Sequence, residues 1–463
     1  MTYRAAVIGS GPAGFYTAGF LLKEGFEVDM YDMLPTPFGL VRSGVAPDHP
    51  KIKTVTRAFE KTASRPGFRF FGGVEVGADV TRAELLERYH TVVYAVGSST
   101  DNRLGIPGED LPGSHPATDF VAWYNGHPGF ADHEFDLSCG RAVVVGAGNV
   151  ALDVARMLVL HPEELAVTDT ADHAISALTR AGVEEVVLVG RRGPAQAAFT
   201  NPELLELGEL RRADVVVDPG QVELDPLSAE WLQSDAASGT ARRNVEIVRD
   251  YAGRTAGGKS HRVVLRFLRS PIEILGSGRV EGIKLAVNRI EDRGNGRLAA
   301  VPSGEEETLE CGLVLRSIGY RGIPLDDVPF DERAGVVRND GGRVTNEDGE
   351  RLTGEYAVGW IKRGPSGVIG TNKKCATETV AKIAEDAAAG ALNEPRVASA
   401  EEIAAWVQEN VPTAVTWDGW RRIDEHETAL GAPSGRPRVK LVRVEHMHSV
   451  AGGAELHGAA VER

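Results

Sequence analysis

An α/β fold is what this sequence predicts, and three observations carry the expectation. Residues Arg4 to Asp32 read as strand, glycine turn, helix, strand and acid. The same order begins again at Arg141, where a short apolar strand runs into a second glycine turn and a helix. Elsewhere, apolar runs that end on glycine alternate with helix-like stretches, the pattern of parallel sheets covered by helices. Two Rossmann-like dinucleotide-binding domains are therefore expected.

In the first unit, Ala5-Ala6-Val7-Ile8 is the strand, Gly9-Ser10-Gly11-Pro12-Ala13-Gly14 the turn, and Phe15 to Leu22 the helix. Gly9 makes the tight turn, Gly11 leaves room for a pyrophosphate, and Gly14 lets the helix lie close on the sheet. Phosphates would rest on unpaired N–H groups at the helix start. Val28-Asp29-Met30-Tyr31 then delivers Asp32, eighteen residues after Gly14, near the ~20 expected of a carboxylate that grips an adenosine ribose. A plain tight turn is the alternative for glycines alone. The flanking strands and the acid favour the dinucleotide.

Composition narrows the function classes. At 463 residues the chain exceeds one ordinary core. Its 42% hydrophobic and 25% charged residues are those of a soluble globular protein. No apolar run reaches the ~18 residues of a membrane helix, so no membrane insertion is expected. The first residues enter a strand directly, which makes a signal peptide unexpected and the cytoplasm the default location. A formal charge of −15 disfavours general nucleic-acid binding. Cys139, Cys311 and Cys375 are far apart, with no CxxC pair, so no metal centre or cluster loop is expected, and redox chemistry must use a bound organic cofactor.

Beyond Asp32, the run Met33 to Pro50 carries four prolines and two glycines among apolar residues, which reads as a packed, irregular and functional loop. Lys51, Lys53, Arg57 and Lys61 follow on a helix; a solvated face and a docking surface both fit them. Phe68 to Phe71 and Val74 to Val76 are expected strands, Ala83 to Arg88 a helix, and Thr91 to Val96 a buried strand ending at Gly97. There the main chain could pass close to a cofactor, or the glycine could simply fix a turn. Ile106-Pro107-Gly108 and Leu111-Pro112-Gly113 mark a domain crossing.

The second unit has the strand Arg141 to Val145, the turn Gly146-Ala147-Gly148-Asn149-Val150-Ala151, and a helix from Leu152 to Leu160. Alanine at the last turn position is a tolerated variant. The next strand, Val186 to Val189, ends on Gly190-Arg191-Arg192 rather than on an acid. A guanidinium pair can hold the 2′-phosphate of NADP, where an acid would repel it. An ordinary surface pair is the other reading. His161 to Gly182 is an insertion expected to be helical. Glu203 reads as a first-turn acid favoured by the helix dipole. Asp214 to Arg269 reads as irregular strands with a polar break at Ser234 to Thr240, and Arg242, Arg243, Arg249 and Arg254 make it locally basic. Val314 to Tyr320 is another strand with glycine near its end, and Pro324 marks the return crossing. A polar hairpin (Asn339 to Gly349) precedes the strand Glu355 to Val358, a glycine-rich turn through Asn372, and a helix from Ala376 to Ala388. Glu394 to Arg443 is amphipathic, with Trp406, Trp417 and Trp420 as core residues, and a disordered tail is expected from about Ala451.

The runs GSGPAGFYTA, PFGLVRSGVAPDHP, GAGNVALDVARM, VGRRGPAQAAFT and YAVGWIKRGPSGVIGTNKK resemble the adrenodoxin-reductase family of NADPH:ferredoxin reductases. The resemblance covers residues 3 to about 380 and recurs at RPRVKL, Arg436 to Leu441. It implies an FAD domain built from residues 1–106 and 325–463 with an NADP domain, 107–324, inserted. Gly9, Gly11, Ala13, Gly14, Asp32, Leu40, Val76 and Gly97 would hold non-covalent FAD, with Trp360, Gly367, Val368 and Ile369 at the flavin and nicotinamide end. Gly148, Asn149, Val150 and Ala151 would take the NADP(H) pyrophosphate, and Arg191 and Arg192 its 2′-phosphate. His49 and Glu203 match the pair that the family places beside the redox centre, and Glu203 also counts among the cofactor-binding residues.

The resemblance further implies hydride transfer from NADPH to FAD, then single electrons to a ferredoxin or similar small iron–sulfur protein, from a monomer. Such a partner is usually acidic, so a basic dock is expected among Lys51, Lys53, Arg57, Arg242, Arg243, Lys362 and Lys373. Two departures stand out. Family members commonly carry Glu where this chain has Asp32. Trp360 follows Gly359, where the wider flavoprotein class usually has Asp. Two rival readings remain at this point: an electron-input subunit of a larger NADPH-dependent enzyme, and a non-catalytic NADP(H)/FAD sensor.

Overall fold

The structure is a computed structural model that describes residues 2–255, 257–294, 296–397 and 399–453. The chain divides into two compact units, one of residues 1–100, 125–131 and 320–463, the other of 101–124 and 132–319. Sequence reading put the crossings at Pro107 and Pro324, and the contacts divide the chain at 100/101 and 319/320. The Pro107 carbonyl accepts from the Ile274 N–H, which ties that turn into the second unit, and Gly322 donates to the Gly335 carbonyl inside the first.

The first unit is built on a seven-stranded sheet in the order Asn339–Asp340, Arg343–Thr345, Arg351–Ala357, Thr91–Tyr94, Arg4–Ile8, Glu27–Asp32, Phe68–Gly72. The last five are parallel, and the hairpin at the other edge is antiparallel. Parallel strands are buried on both faces, which is why Arg4–Ile8 is apolar almost throughout. Its side chains alternate: Ala5 and Val7 join a core with Val28, Met30, Phe70 and Val93, and Ala6 and Ile8 join a second with Tyr31, Phe71 and Tyr94. Helices Pro12–Leu21 and Ile369–Ala388 pack together on the first of these faces.

The loop after Asp32 is packed, as its composition requires: Phe38, Val41 and Ala46 are buried, and a short helix, Leu40–Ser43, interrupts it. Phe38 packs in tilted and edge-on contacts with Phe15, Phe59 and Trp420. Trp420 is buried, and Trp406 and Trp417 are packed against the cores, as expected. Val74–Val76 is not a strand; Val76 makes one bridge to Val80. Helices Ala400–Asn410, Trp417–Gly431 and Val444–Ala451 complete the unit. Ala451 therefore ends a helix, and residues 454–463 of the expected tail lie outside the described residues.

The second unit holds a six-stranded parallel sheet in the order Ser114–Pro116, Leu313–Arg316, Arg141–Val145, Glu185–Val189, His261–Arg266, Ala213–Val217. A three-stranded antiparallel sheet, Arg269–Leu275, Gly282–Asp292 and Leu298–Glu310, sets Ile283 and Leu285 into the same core as Val143 and Val187. The stretch read as irregular strands between Asp214 and Arg269 has strands at its ends, Ala213–Val217 and His261–Arg266, but the helices Pro226–Gln233 and Gly239–Ala252 between them. The second is capped by Ser238 and buries Ala241, Val245, Val248 and Tyr251 at helical spacing, a periodicity masked by its arginines. The insertion 161–182 is largely helical, through Pro162–Leu165 and Asp172–Thr179.

Candidate functional site

The first glycine turn is tight for stated reasons. Gly9 has φ +104°, and a Cβ there would lie 2.7 Å from the Ala95 carbonyl oxygen. A Cβ on Gly14 would lie 2.0 Å from the Gly9 oxygen, so only glycine lets the helix start here. Gly11 differs, because a Cβ on it would meet nothing within 4 Å. Its missing side chain is therefore not needed for protein packing, and the space is open to a ligand at the N-terminus of Pro12–Leu21. Ala13 is buried, and its methyl faces Gly359, where a Cβ would come within 2.6 Å of it.

Asp32 is oriented by three donors: its Oδ2 accepts from the Ser10 N–H (2.8 Å) and Oγ (2.5 Å), and its Oδ1 from the Leu34 N–H (2.9 Å). Burial pushes its pKa up, and these three donors oppose that. A carboxylate has about four acceptor positions, so roughly one is left for a hydroxyl. Ser10 was not read as a site residue; a serine between two turn glycines carries no sequence signal of its own. The loop after Asp32 folds back on this turn, since the Phe38 N–H donates to the Ser10 carbonyl (3.0 Å). Phe38 takes φ +86°, a strained value for a non-glycine residue. A Cβ on Gly39 would come within 3.0 Å of Gly11 Cα, so the chain leading into Leu40 runs over the turn.

Gly97 has φ +75° and open space at its Cβ position. Val76 is half-buried beside the second core of this unit. Trp360 donates through Nε1 to the Ser366 carbonyl (3.2 Å) and lies 5.4 Å from the Tyr320 ring. Gly367 has φ +80°, and the Val368 N–H donates to Thr371 Oγ1 (3.2 Å) where Ile369 opens a 20-residue helix. Val368 is exposed. His49 precedes the short helix Pro50–Lys53. Between this loop and Asn125–Pro128 lies a small cavity that Arg42 and His127 line, and burial together with Arg42 pushes the His127 pKa down to about 4.

The second turn repeats the first with one change. Gly146 has φ +149°, and a Cβ there would lie 2.2 Å from the Ser317 oxygen. Gly148, like Gly11, has nothing within 4 Å of its Cβ position. Ala151 is fully buried, so alanine fills the packing position. Asn149 Oδ1 accepts from the Thr200 N–H (2.8 Å), and the Ala198 N–H donates to the Ala147 carbonyl (2.8 Å). Those bonds bring the helix Asn201–Glu206 to the turn, and with it Glu203, whose Oε2 is buried without a hydrogen-bond partner. An orphaned carboxylate oxygen is costly, which suits an atom reserved for a donor from outside the chain.

Arg191 and Arg192 are exposed just beyond the strand Glu185–Val189, and neither makes an ion pair among the described residues. Partial burial and the neighbouring Arg191 guanidinium lower the Arg192 pKa. By contrast, Arg266 and Arg269 both pair with Glu307. Two adjacent uncompensated guanidiniums make a site for a doubly charged oxyanion.

Of the cations read as a dock, Lys51, Arg57 and Lys373 are exposed. Lys362 is not: its side chain is 10% exposed and its amine donates to Thr379. Arg242 donates to the Leu232 and Ser234 carbonyls, and Arg243 pairs with Glu246. No helix among the described residues is long and apolar enough to cross a membrane.

Residues 3–191 match the family described as pyridine nucleotide-disulphide oxidoreductase. The chain is 51% identical over 459 residues to the NADPH-ferredoxin reductase FprA of Mycobacterium leprae (strain TN), across 97% of this chain and 99% of the relative. It is 40% identical to the mitochondrial NADPH:adrenodoxin oxidoreductase of Arabidopsis thaliana, across 96% and 94%. A Mycobacterium tuberculosis protein named probable ferredoxin/ferredoxin–NADP reductase is 46% identical across 97% of this chain but only 76% of itself. The solved structure of Mycobacterium tuberculosis FprA in complex with NADPH superposes with a TM-score of 0.91 at 49% identity, covering 98% of this chain and all of that one.

Proposed function

Because the chain belongs to the adrenodoxin-reductase family of NADPH–ferredoxin reductases, we propose that it oxidises NADPH through FAD and delivers single electrons to a ferredoxin-type iron–sulfur protein. The observation that carries this reading is the pair of glycine turns, each open at its second glycine, of which one is followed by Asp32 and the other by the uncompensated Arg191 and Arg192. The first turn suits a ribose with free hydroxyls. The second suits a phosphorylated one.

Gly9, Gly11, Ala13, Gly14, Asp32, Leu40, Val76 and Gly97 would hold FAD, with Trp360 and Gly367-Val368-Ile369 presenting a further helix N-terminus. Gly148-Asn149-Val150-Ala151 would hold the pyrophosphate of NADPH, and Arg191 and Arg192 its 2′-phosphate. FAD supplies the chemistry: it takes two electrons as a hydride and can give them up one at a time. The protein contributes position, by fixing Asp32 with Ser10 and Leu34 and by fixing Asn149 with Thr200. Glu203 keeps Oε2 available to an N–H donor or a proton, and His49 is a second group that would balance charge during the reaction.

The longer relative, whose name joins a ferredoxin to the reductase, supports a ferredoxin as acceptor here. Monomeric assembly and a cytoplasmic location belong to the same proposal. The test is to give the FAD-loaded chain NADPH, a ferredoxin and cytochrome c. Cytochrome reduction that depends on the ferredoxin supports the reductase. Flavin reduction without onward transfer favours an electron-input subunit, and no flavin reduction favours a sensor.

A further inference from the structure

We propose that Asn288, nearly a hundred residues from the arginine pair in sequence, is the positioning residue that makes Arg191 and Arg192 selective for a 2′-phosphorylated nucleotide; this rests on their assignment as the 2′-phosphate site. Asn288 is 4% exposed. Its Nδ2 donates to the Arg191 carbonyl (2.9 Å) and to Ser270 Oγ (2.8 Å). Its backbone N–H donates to the Leu268 carbonyl (2.8 Å), and the Leu268 N–H donates to the Arg192 carbonyl (3.2 Å). One residue thus brackets both arginines, directly at Arg191 and through Leu268 at Arg192.

Two features show that the bracket is held against a cost. Leu268 has φ +55°, a left-handed backbone that a leucine keeps only where its surroundings overdetermine it, and here both its N–H and its carbonyl are tied. Asn288 Oδ1 is buried with no hydrogen-bond partner, so the amide sacrifices one polar atom to aim its donor at Arg191. The placement is a product of the antiparallel sheet. The register of Gly282–Asp292 against Leu298–Glu310 shifts between Ala286 and Asn288, a bulge that re-aims a side chain at the sheet's margin. Glu307, on the neighbouring strand, pairs with both Arg266 and Arg269 in the same region, whereas Arg191 and Arg192 have no acid partner among the described residues.

Titration of the full chain with adenosine 2′,5′-bisphosphate tests this without the flavin reaction. Asn288→Ala should weaken that ligand about tenfold, the effect of one positioning bond, while kcat/KM for NADH on the FAD-loaded chain stays within about twofold. Ser270→Ala, which removes the hydroxyl that helps to fix the Asn288 amide without removing the amide itself, should act in the same direction if the alanine variant does not fold. Undiminished bisphosphate binding in the variant that folds, or an equal loss for NADH, overturns the role of Asn288. The double variant Arg191→Ala/Arg192→Ala separates the two layers: if it loses the bisphosphate and Asn288→Ala does not, only Asn288 is misassigned. If the double variant binds normally, the 2′-phosphate assignment itself fails.

Discussion

Gly11 and Gly148 are the residues at which fold and cofactor can be pulled apart. A Cβ at either meets nothing within 4 Å, and both take ordinary backbone angles, φ −73° and −125°. Alanine there should leave the melting of the cofactor-free chain within about 0.5 kcal/mol of the parent, the range of surface changes. Flavin affinity should fall in Gly11→Ala and NADPH affinity in Gly148→Ala, each read by titration of its own cofactor. If the folded variants bind both cofactors normally, the turns are not phosphate seats. Gly14 and Gly146 give the contrast, because their added carbons would strike carbonyl oxygens at 2.0 and 2.2 Å and so damage the turn itself. The arginine pair gives a second residue-level outcome. Each charged hydrogen bond to a phosphate contributes about 1.5–3 kcal/mol at most, less where exposed. Arg191→Ala/Arg192→Ala should therefore cost NADPH use several kcal/mol at most while sparing NADH, measured as kcat/KM for each. The glycines and arginines were legible because their chemistry is local. Ser10 and Asn288 were not, since their roles depend on partners 22 and 97 residues away.

Among the elements, the segment Arg436 to Leu441 is held by one buried acid. Glu427, on the helix Trp417–Gly431, has a fully buried side chain and takes a bidentate contact from Arg42 in the loop after Asp32. Arg438 and the Leu441 N–H donate to it as well. Burial alone would raise its pKa, but Arg42, Arg438 and that N–H hold it below the ordinary carboxylate value. A depressed folded pKa stabilises the fold above the unfolded value, about 4.3, and that contribution is lost as pH falls through the folded value. Removing one partner of a buried pair costs about 3–5 kcal/mol. Glu427→Gln should accordingly melt well below the parent at neutral pH and lose part of the parent's acid sensitivity, as read by thermal melting across a pH series. An unchanged melting profile would mean that this clamp contributes nothing. The short motif RPRVKL pointed to this segment but not to Glu427, whose sequence neighbours are ordinary helix-face residues. Elements with clean apolar periods were legible. The helix Gly239–Ala252 was missed through its arginines, and the bulged strand Gly282–Asp292 through a register shift that breaks alternation.

For the molecule as a whole, a net charge of −15 must be reconciled with the acidic electron acceptor that the resemblance implies. Of the cations read as a dock, Lys51, Arg57 and Lys373 are exposed and make no ion pair among the described residues, whereas Lys362 is turned to Thr379, Arg242 to backbone carbonyls and Arg243 to Glu246. Exposed charges are screened over about 10 Å at 0.1 M salt. Ferredoxin reduction should therefore slow with rising salt far more than flavin reduction by NADPH does, in stopped-flow runs of each half-reaction. Equal salt dependence would count against a charged dock. The two-domain α/β plan was readable from two glycine turns and their strands. The added antiparallel sheet was not, because its third strand, Leu298–Glu310, is rich in exposed glutamates rather than patterned for a core. The most direct measurement is anaerobic mixing of the FAD-loaded chain with NADPH and, separately, with NADH, following the yellow flavin absorbance. Rapid bleaching by NADPH and much slower bleaching by NADH is the expected result. A flavin that stays oxidised with NADPH, or a chain that takes up no FAD, would contradict it.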